Sequence, residues 1–539
     1  MNLLTSDWIP VFRQNGAEEI VSPAAIGELD NPILEINAPR ADFQGALYQL
    51  LIGLLQTTFA PEDQSSWRAR YQTPPSPDEL TKAFQPFREA FELSASGPAF
   101  LQDFNLPAGE TKPISALLID SPGAKTVKDN LDLFIKRDDS MQLCSACAAT
   151  ALFTLQTNAP AGGVGHRVGL RGGGPLTTLI QPRSPESSLW QKLWLNVLNS
   201  EELDTPAQAL DPNVFPWLAE TRRSDKTGGI TTPNDVYRLQ AYWGMPRRIR
   251  LEKNEVSGIC SICRADVDEV FRTFRMQNYG VNYDGPWLHP LTPYRHDPKQ
   301  KELPLSLKGQ PGGFSYRHWL GLVFADGDNG DKAAEIVTAH VQRQRFLPGE
   351  QGHARLWCFG YDLDNMKARC WYDSTMPLFA LSPQHWKKIS TFISRDMLKP
   401  ASDAVSLLRK YLKQAWLGTG GDKSADFTFI DKDFWPSTEP IFYEVVQSLM
   451  ENVEEEEIWT SDQAKRWHGA LASYVMATFD RWALSGPPED LDMKRVIDAR
   501  QALQKLFLGS KAMKALRERF VVQAAMTNDA GAEESSDGR

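Results

Sequence analysis

The sequence predicts an α+β protein, with an irregular mixed α/β body over residues 1–379, a four-helix bundle over 380–526 and a disordered polar tail over 527–539. Three observations carry that expectation. Up to Phe379, short β-like runs alternate with helical stretches and with punctuation such as Pro286, Pro290, Pro293, Pro298, Pro311, Gly312 and Gly313. Past Ser382 the apolar residues recur at helical spacing with scarcely a strand signal. Two Cys-x-x-Cys pairs, Cys144/Cys147 and Cys260/Cys263, stand more than 100 residues apart within the body.

Taken in order, Trp8–Val11 and Glu19–Val21 read as the strands of a hairpin around Asn15-Gly16, a dipeptide suited to the positive φ of a tight turn. Phe43–Phe59 reads as a helix with Asp42 as its cap, and a further helix runs from Pro77 to Phe91. Residues 121–140 are polar and carry Lys125, Lys128, Lys136 and Arg137, which suits a loop or short helix. Val168–Leu170, Leu176–Ile180 and Ala354–Tyr361 read as strands. In the second half, Pro383–Ser394, Ala401–Trp416, Asp431–Val453, Ser461–Leu484 and Asp490–Val522 show helical spacing, with breaks at Gly418–Gly421 and Ser485–Pro488, and a bundle is the simplest packing for them. Glu454–Glu457 reads as a solvated helix face.

Composition narrows the function. The 539 residues hold 58 basic and 68 acidic side chains, a net charge of −10, so nucleic-acid binding would have to come from local basic patches. The longest apolar stretch, Phe43 to Ala60, is interrupted by Gln44, Gln49, Gln56 and two threonines, which favours a buried helix over a membrane span. The N-terminus lacks the basic and apolar regions of a secretory signal, so a cytoplasmic protein is expected. Six cysteines, four of them in pairs, suit a reducing compartment. Cys358 and Cys370 read as core thiols.

The paired spacing points to zinc. Each Cys-x-x-Cys offers two thiolates at one turn, and two pairs complete a tetrahedron that clamps distant segments together. A catalytic zinc would need an open coordination position and a nearby acid or base, and four thiolates leave neither. Common enzyme motifs are missing, and Gly418–Ser424 imitates a phosphate loop poorly, with Asp422 before Lys423 and no strand ahead of it. Gly162–Gly174 reads in two ways. It is either a flexible connection, or a segment whose missing side chains let the backbone approach a ligand, with His166, Arg167 and Arg171 near phosphates.

Several ordered blocks resemble the CasA family, the large subunit of the type I-E CRISPR Cascade complex. They are Met1–Leu4 with Trp8–Val11, Leu143–Cys147 with Ala151–Phe153, Asn158–Pro160, Gly169–Gly173 with Pro175 and Thr177-Thr178, and Trp287–Pro290. The resemblance implies a non-enzymatic subunit of an RNA-guided antiviral complex, partnered by other Cascade subunits and guide RNA. Such a subunit reads the short motif beside the target (the PAM) in double-stranded DNA, starts strand separation and R-loop formation, and provides the landing surface for a helicase-nuclease. Two other classes stay open at this point: a zinc-dependent hydrolase, and a zinc-containing adaptor that binds only proteins.

Carried over by position, the family's glycine loop falls on Ala161–Gly165, so Gly162, Gly163, Val164 and Gly165 are expected at the PAM. Ala161 and Val164 stand where glycine is expected. The family's lysine finger aligns with Asn278, an amide that can donate to or accept from base edges. A wedge hairpin falls on Asp362–Lys367, with Asp364 and Asn365 at its tip. Lys299 and Lys301 fall where the family holds DNA nonspecifically. Phe134, Lys136 and Arg137 fall on a loop that docks to the neighbouring subunit near the guide.

Overall fold

The computed structural model describes residues 1–106, 109–132, 141–225, 228–327, 330–343, 353–364, 367–379, 381–418, 425–455, 458–486 and 491–520. Phe134, Lys136, Arg137, Asn365 and the 527–539 tail lie outside them. The chain divides into two compact units, one made of Met1–Gly313 with Asn329–Ala380, the other of Phe314–Asp328 with Leu381–Arg539.

The first unit is organised around the helix Ala41–Thr58, buried on nearly every side. Its glutamines explain why an apolar stretch needs no membrane: Gln56 donates to the Leu198 carbonyl at 3.0 Å and accepts from the Leu198 amide at 2.7 Å. Such a helix is hydrophobic all round because protein covers every face. Two glycines let neighbours approach, since a Cβ on Gly45 would lie 2.7 Å from the Phe359 ring and one on Gly53 3.2 Å from Tyr242. Arg40, not Asp42, is the N-cap residue. Asp42 sits inside the first turn, buried, held by Arg40 at 2.9 and 3.1 Å and by the Tyr361 hydroxyl at 2.6 Å. Among the described residues, no helix is long and apolar enough to cross a membrane.

The unit also holds small antiparallel sheets. Ile9–Arg13 pairs with Glu18–Val21 around the Asn15-Gly16 turn, where Gly16 has φ 84°, and with Ile33–Ile36 on its other edge. Glu110–Pro113, Val270–Gln277 and Arg248–Asn254 form a second sheet with Val270–Gln277 in the centre. A long hairpin, His353–Asp364 and Lys367–Phe379, takes Thr177–Gln181 as its third strand. The Ala354–Tyr361 and Leu176–Ile180 expectations therefore hold, with boundaries moved by a few residues. Val168–Leu170 is irregular instead of a strand, because the amide of Gly169 bonds the Ala159 carbonyl in a turn that Gly172, at φ 81°, closes. The Pro77–Phe91 helix tightens to a 3-10 helix from Gln85, where Pro86 removes a donor. Cys358 is buried as expected, but Cys370 is exposed, because it lies on an outward-facing position of the hairpin.

The second unit is helical. Lys399–Leu417, Phe429–Glu451, Ser461–Ala483 and Met493–Leu508 pack against one another around Leu408, Phe442, Trp467, Val475, Phe479 and Leu503, all buried. The gap expected between residues 394 and 401 does not form. Pro383–Phe392 continues through a π-helical turn, Ile393–Leu398, into Lys399–Leu417, and Pro400 follows that turn at the start of the last segment. The last expected helix breaks instead at Gly509-Ser510 before resuming over 511–520. Phe314–Asp328 joins this unit because Tyr316 stacks on Phe442 at 4.2 Å and Trp319 meets Trp386 at 5.6 Å.

Candidate nucleic-acid interface and metal centre

The four paired cysteines converge. Their sulfurs all lie within 4.8 Å of one another, Cys144 and Cys263 at 3.7 Å, and none forms a disulfide. A tetrahedral zinc with sulfur at 2.3 Å separates its ligands by roughly 3.8 Å, so this donor set fits that ion. Cys260 is held below the usual thiol range by hydrogen bonds from Cys144, Cys147 and Cys263, and hydrogen bonding to Cys144, Cys260 and Cys263 pushes Cys147 up. Such proton sharing is what four crowded sulfurs do until a dication replaces the protons. The second pair sits on a tight turn between Gly258–Ile259 and Asp266–Val267, with the Cys260 amide bonded to Ala265 and Arg264 at φ 65°. Four protein ligands would close the coordination sphere, which makes the role of a bound zinc structural.

What the clamp positions follows from connectivity. Cys144 caps the helix Ser145–Asn158, and next to it Leu143 bridges Phe271, near the start of the strand Val270–Gln277. That helix runs on into Ala159 and the glycine loop. The strand runs on into Asn278. Helix and strand pack together, so the cysteines pin one end of a pair whose other end carries both elements expected at the PAM.

There the loop and Asn278 meet. Asn278 Nδ2 donates to the Val164 carbonyl at 2.9 Å, and the Tyr279 amide donates to the Gly165 carbonyl at 2.8 Å. Gly163 and Gly165 have φ 69° and 78°, a region that costs other residues about 1–2 kcal/mol. Tyr279 accepts φ 63° to make its bond. Val164 is 76% exposed at the crest of the loop. A Cβ on Gly163 would meet nothing within 4 Å, whereas one on Gly165 would lie 2.8 Å from the Asn278 Cβ. Gly163 therefore faces open space, and Gly165 is where the two elements touch.

The basic residues near this loop divide by burial. Arg167 is engaged by Ser224, its Nε at 2.7 Å from the hydroxyl and its Nη2 at 2.8 Å from the carbonyl. Arg171 is buried and bonds Thr177, Thr292 and Gln49, so it is unavailable to a surface phosphate. His166 is half-buried, and burial, then Arg247 and Lys112, lowers its pKa. Lys308, which sequence reasoning missed, lies exposed with its Nζ 3.6 Å from where a Gly172 Cβ would stand. Its signal was faint, a lone lysine three residues before a Pro-Gly-Gly turn.

Lys299 and Lys301 are exposed on the connection between Tyr294–Arg295 and Leu305–Ser306, and their backbone amides bond Asp297 at 3.0 and 2.8 Å. Those two bonds hold the Asp297 carboxyl below its ordinary range. Ser306 in turn bonds the Arg171 carbonyl, which ties this connection to the glycine-rich segment.

Asp364 ends its strand paired with Lys367, and it is exposed at the hairpin tip. An acid at a DNA-facing tip is unfavourable alone, but Arg369 sits 3.7 Å from it while making two bonds to buried Asp362 at 3.1 and 2.6 Å. The base of the tip packs on the glycine-rich segment, since a Cβ on Gly174 would lie 2.8 Å from Leu363. Arg369 was not singled out in the sequence because its partners are seven and five residues away across a turn.

The family model for CRISPR-associated protein Cse1 matches residues 2–478. Among solved structures, CasA of Thermus thermophilus superposes with a TM-score of 0.64 at 20% identity, covering 94% of this chain and 99% of that one. Cse1 of Thermobifida fusca gives 0.65 at 17% identity, covering 94% and 98%. A chain described as part of a CRISPR RNA-guided surveillance complex gives 0.66 at 15% identity, covering 94% and 99%. At these identities the likeness is one of fold.

Proposed function

Because this chain belongs to the CRISPR-associated Cse1 family, we propose that it is the large, non-catalytic subunit of a Cascade-type surveillance complex, reading the PAM in duplex DNA. Guide RNA reads the target by base pairing, and the protein licenses where pairing begins. The observation that carries this reading is the bond from Asn278 to Val164, which joins a glycine-edged loop to an amide side chain. An exposed backbone without side chains can enter a minor groove, and a neighbouring amide can reach a base edge there.

In this reading Gly162, Gly163, Val164 and Gly165 lie along the groove and Asn278 reads a base edge. Asp364 and Asn365 occupy the opened step, with Arg369 neutralising the acid. Lys299 and Lys301 hold phosphates irrespective of sequence. Phe134, Lys136 and Arg137 dock the subunit to its neighbours and the guide. The helical unit or the body then receives a helicase-nuclease, so cutting is done elsewhere. Metal-assisted hydrolysis is not part of this proposal, since four sulfur ligands leave zinc no position for water. Binding of the assembled complex to motif-bearing duplex, with wild-type and Asn278→Ala subunits, tests the reading. Equal affinity for both would refute the assignment.

A further inference from the structure

Arg171 poses an electrostatic problem. It is only 6% exposed, and its three hydrogen bonds go to neutral oxygens: Thr177 Oγ1 at 3.1 Å, Thr292 Oγ1 at 2.9 Å and Gln49 Oε1 at 2.6 Å. Among the described residues no carboxylate comes within 4 Å of its guanidinium. A buried charge without a counter-charge is costly, and proteins pair such groups or lose the charge. Burial lowers the Arg171 pKa to about 10, which still leaves it a cation at neutral pH.

A cavity of about 20 Å³ opens beside it, lined among others by Arg171, Tyr242, His289 and Gln156. That is slightly more than one water needs. Three of its lining residues, Arg171, Tyr242 and His289, carry donor groups. Tyr242 is 6% exposed, and among the described residues its hydroxyl has no hydrogen-bond partner. His289 accepts the Leu291 amide through Nδ1 at 3.1 Å, which places the proton of its neutral ring on Nε2. The imidazole packs on the Tyr242 ring at 4.8 Å. Gln156 is spent on the backbone of Leu101 and Arg247. The acid that acts on Tyr242, Glu335, is already paired with Arg238 at 2.5 Å.

We propose that this cavity is a binding site for one small monovalent anion of the chloride class, held by the Arg171 guanidinium, the Tyr242 hydroxyl and the His289 Nε2–H. The ion supplies the missing counter-charge and gives Tyr242 its acceptor. Because Arg171 lies in the glycine-rich segment, occupancy also fixes the root of that segment against Gln49 of the central helix. The proposal does not rest on the DNA-binding reading.

The test uses the full chain at constant ionic strength. Melting temperature is followed as chloride replaces gluconate, an anion too large for the cavity, and crystals are soaked in bromide for anomalous scattering. The expected result is a rise in melting temperature that saturates with chloride, with a bromide peak between Arg171 and Tyr242. Tyr242→Phe removes only the hydroxyl and should raise the half-saturating chloride concentration by about tenfold, one lost charge-assisted hydrogen bond. Arg171→Met should abolish the dependence, and if that variant fails to fold, Tyr242→Phe alone decides. An empty or water-filled cavity in the anomalous map overturns the proposal. So does a bromide peak with no chloride dependence in solution, which would mean an adventitious ion only.

Discussion

Asn278 Nδ2 and the Val164 carbonyl, 114 residues apart in sequence, lie 2.9 Å apart. The bond joins the end of a central strand to the crest of a loop that follows a cysteine-capped helix. If this joint shapes the proposed PAM reader, its removal should act on DNA before it acts on the fold. Asn278→Ala forfeits one exposed hydrogen bond, worth about 1 kcal/mol. Unfolding in urea should shift by no more than that, while duplex binding by the complex falls by about tenfold.

Asn278→Lys installs the lysine that the family resemblance implies at this position and adds a charge. Binding should recover, with a steeper salt dependence, since each added phosphate contact changes the slope of log affinity against log salt by about 0.9. Titrations at several salt concentrations measure this. An unchanged slope with full affinity would place residue 278 away from the DNA.

Gly163 and Gly165 share a backbone conformation but not a neighbourhood. Gly163→Ala should cost only the strain of positive φ, about 1 kcal/mol. Gly165→Ala adds a Cβ 2.8 Å from that of Asn278 and should cost more. Equal losses in denaturant unfolding would mean that the loop does not rest on Asn278.

How much of this was legible in the sequence depends on the kind of contact. The convergence of the four paired cysteines and the change to helices could be read, because ligand spacing and apolar periodicity are local signals. From periodicity the hairpin was legible only as one strand, since Lys367–Phe379, with five of its thirteen residues exposed, does not alternate cleanly. The continuous helix through Ile393–Leu398 was hidden by Pro400, which reads as a breaker until its place beside a π-helical turn is known. Arg171 read as a phosphate ligand, and only the tertiary structure shows that Thr177, Thr292 and Gln49 claim it. The family resemblance assigned Asn278 and the loop to one DNA motif but not to each other, because no local pattern predicts an amide reaching a carbonyl 114 residues earlier.

The clamp should bind one zinc per chain. Elemental analysis of reduced protein measures this directly, and Cys260→Ser should remove the metal. Zinc sites contribute on the order of 10 kcal/mol to small domains, and a large unit should lose only part of that, seen as a lower melting temperature. Loss of metal should also weaken duplex binding, since the clamp pins the helix and strand that carry the loop and Asn278. Metal-free protein with unchanged melting and binding would contradict this.

His340 should make stability fall with acid. It is buried, among the described residues neither ring nitrogen has a partner, and burial lowers its pKa from 6.5 to about 4. The unfolded chain therefore takes up a proton between pH 6.5 and 4 that the folded chain refuses, and stability present above pH 6.5 is lost on the way down. Linkage gives about 2 kcal/mol between about pH 7 and 5 from this group. Urea unfolding of wild type and His340→Leu at both pH values should show that much less acid sensitivity in the variant. Identical pH dependence would mean His340 titrates normally.

The most direct measurement is binding of the assembled complex to a motif-bearing duplex and to the same target with its strands already separated, using wild-type and Gly163→Leu subunits. A Cβ on Gly163 meets nothing within 4 Å, so a leucine there puts bulk in the path of an approaching groove at the cost of the positive-φ strain. The account predicts that the variant loses at least about tenfold, or about 1.4 kcal/mol, on the duplex and binds the pre-opened target like wild type. Equal losses on both substrates would contradict it, showing that the loop supports fold or assembly instead of reading the duplex.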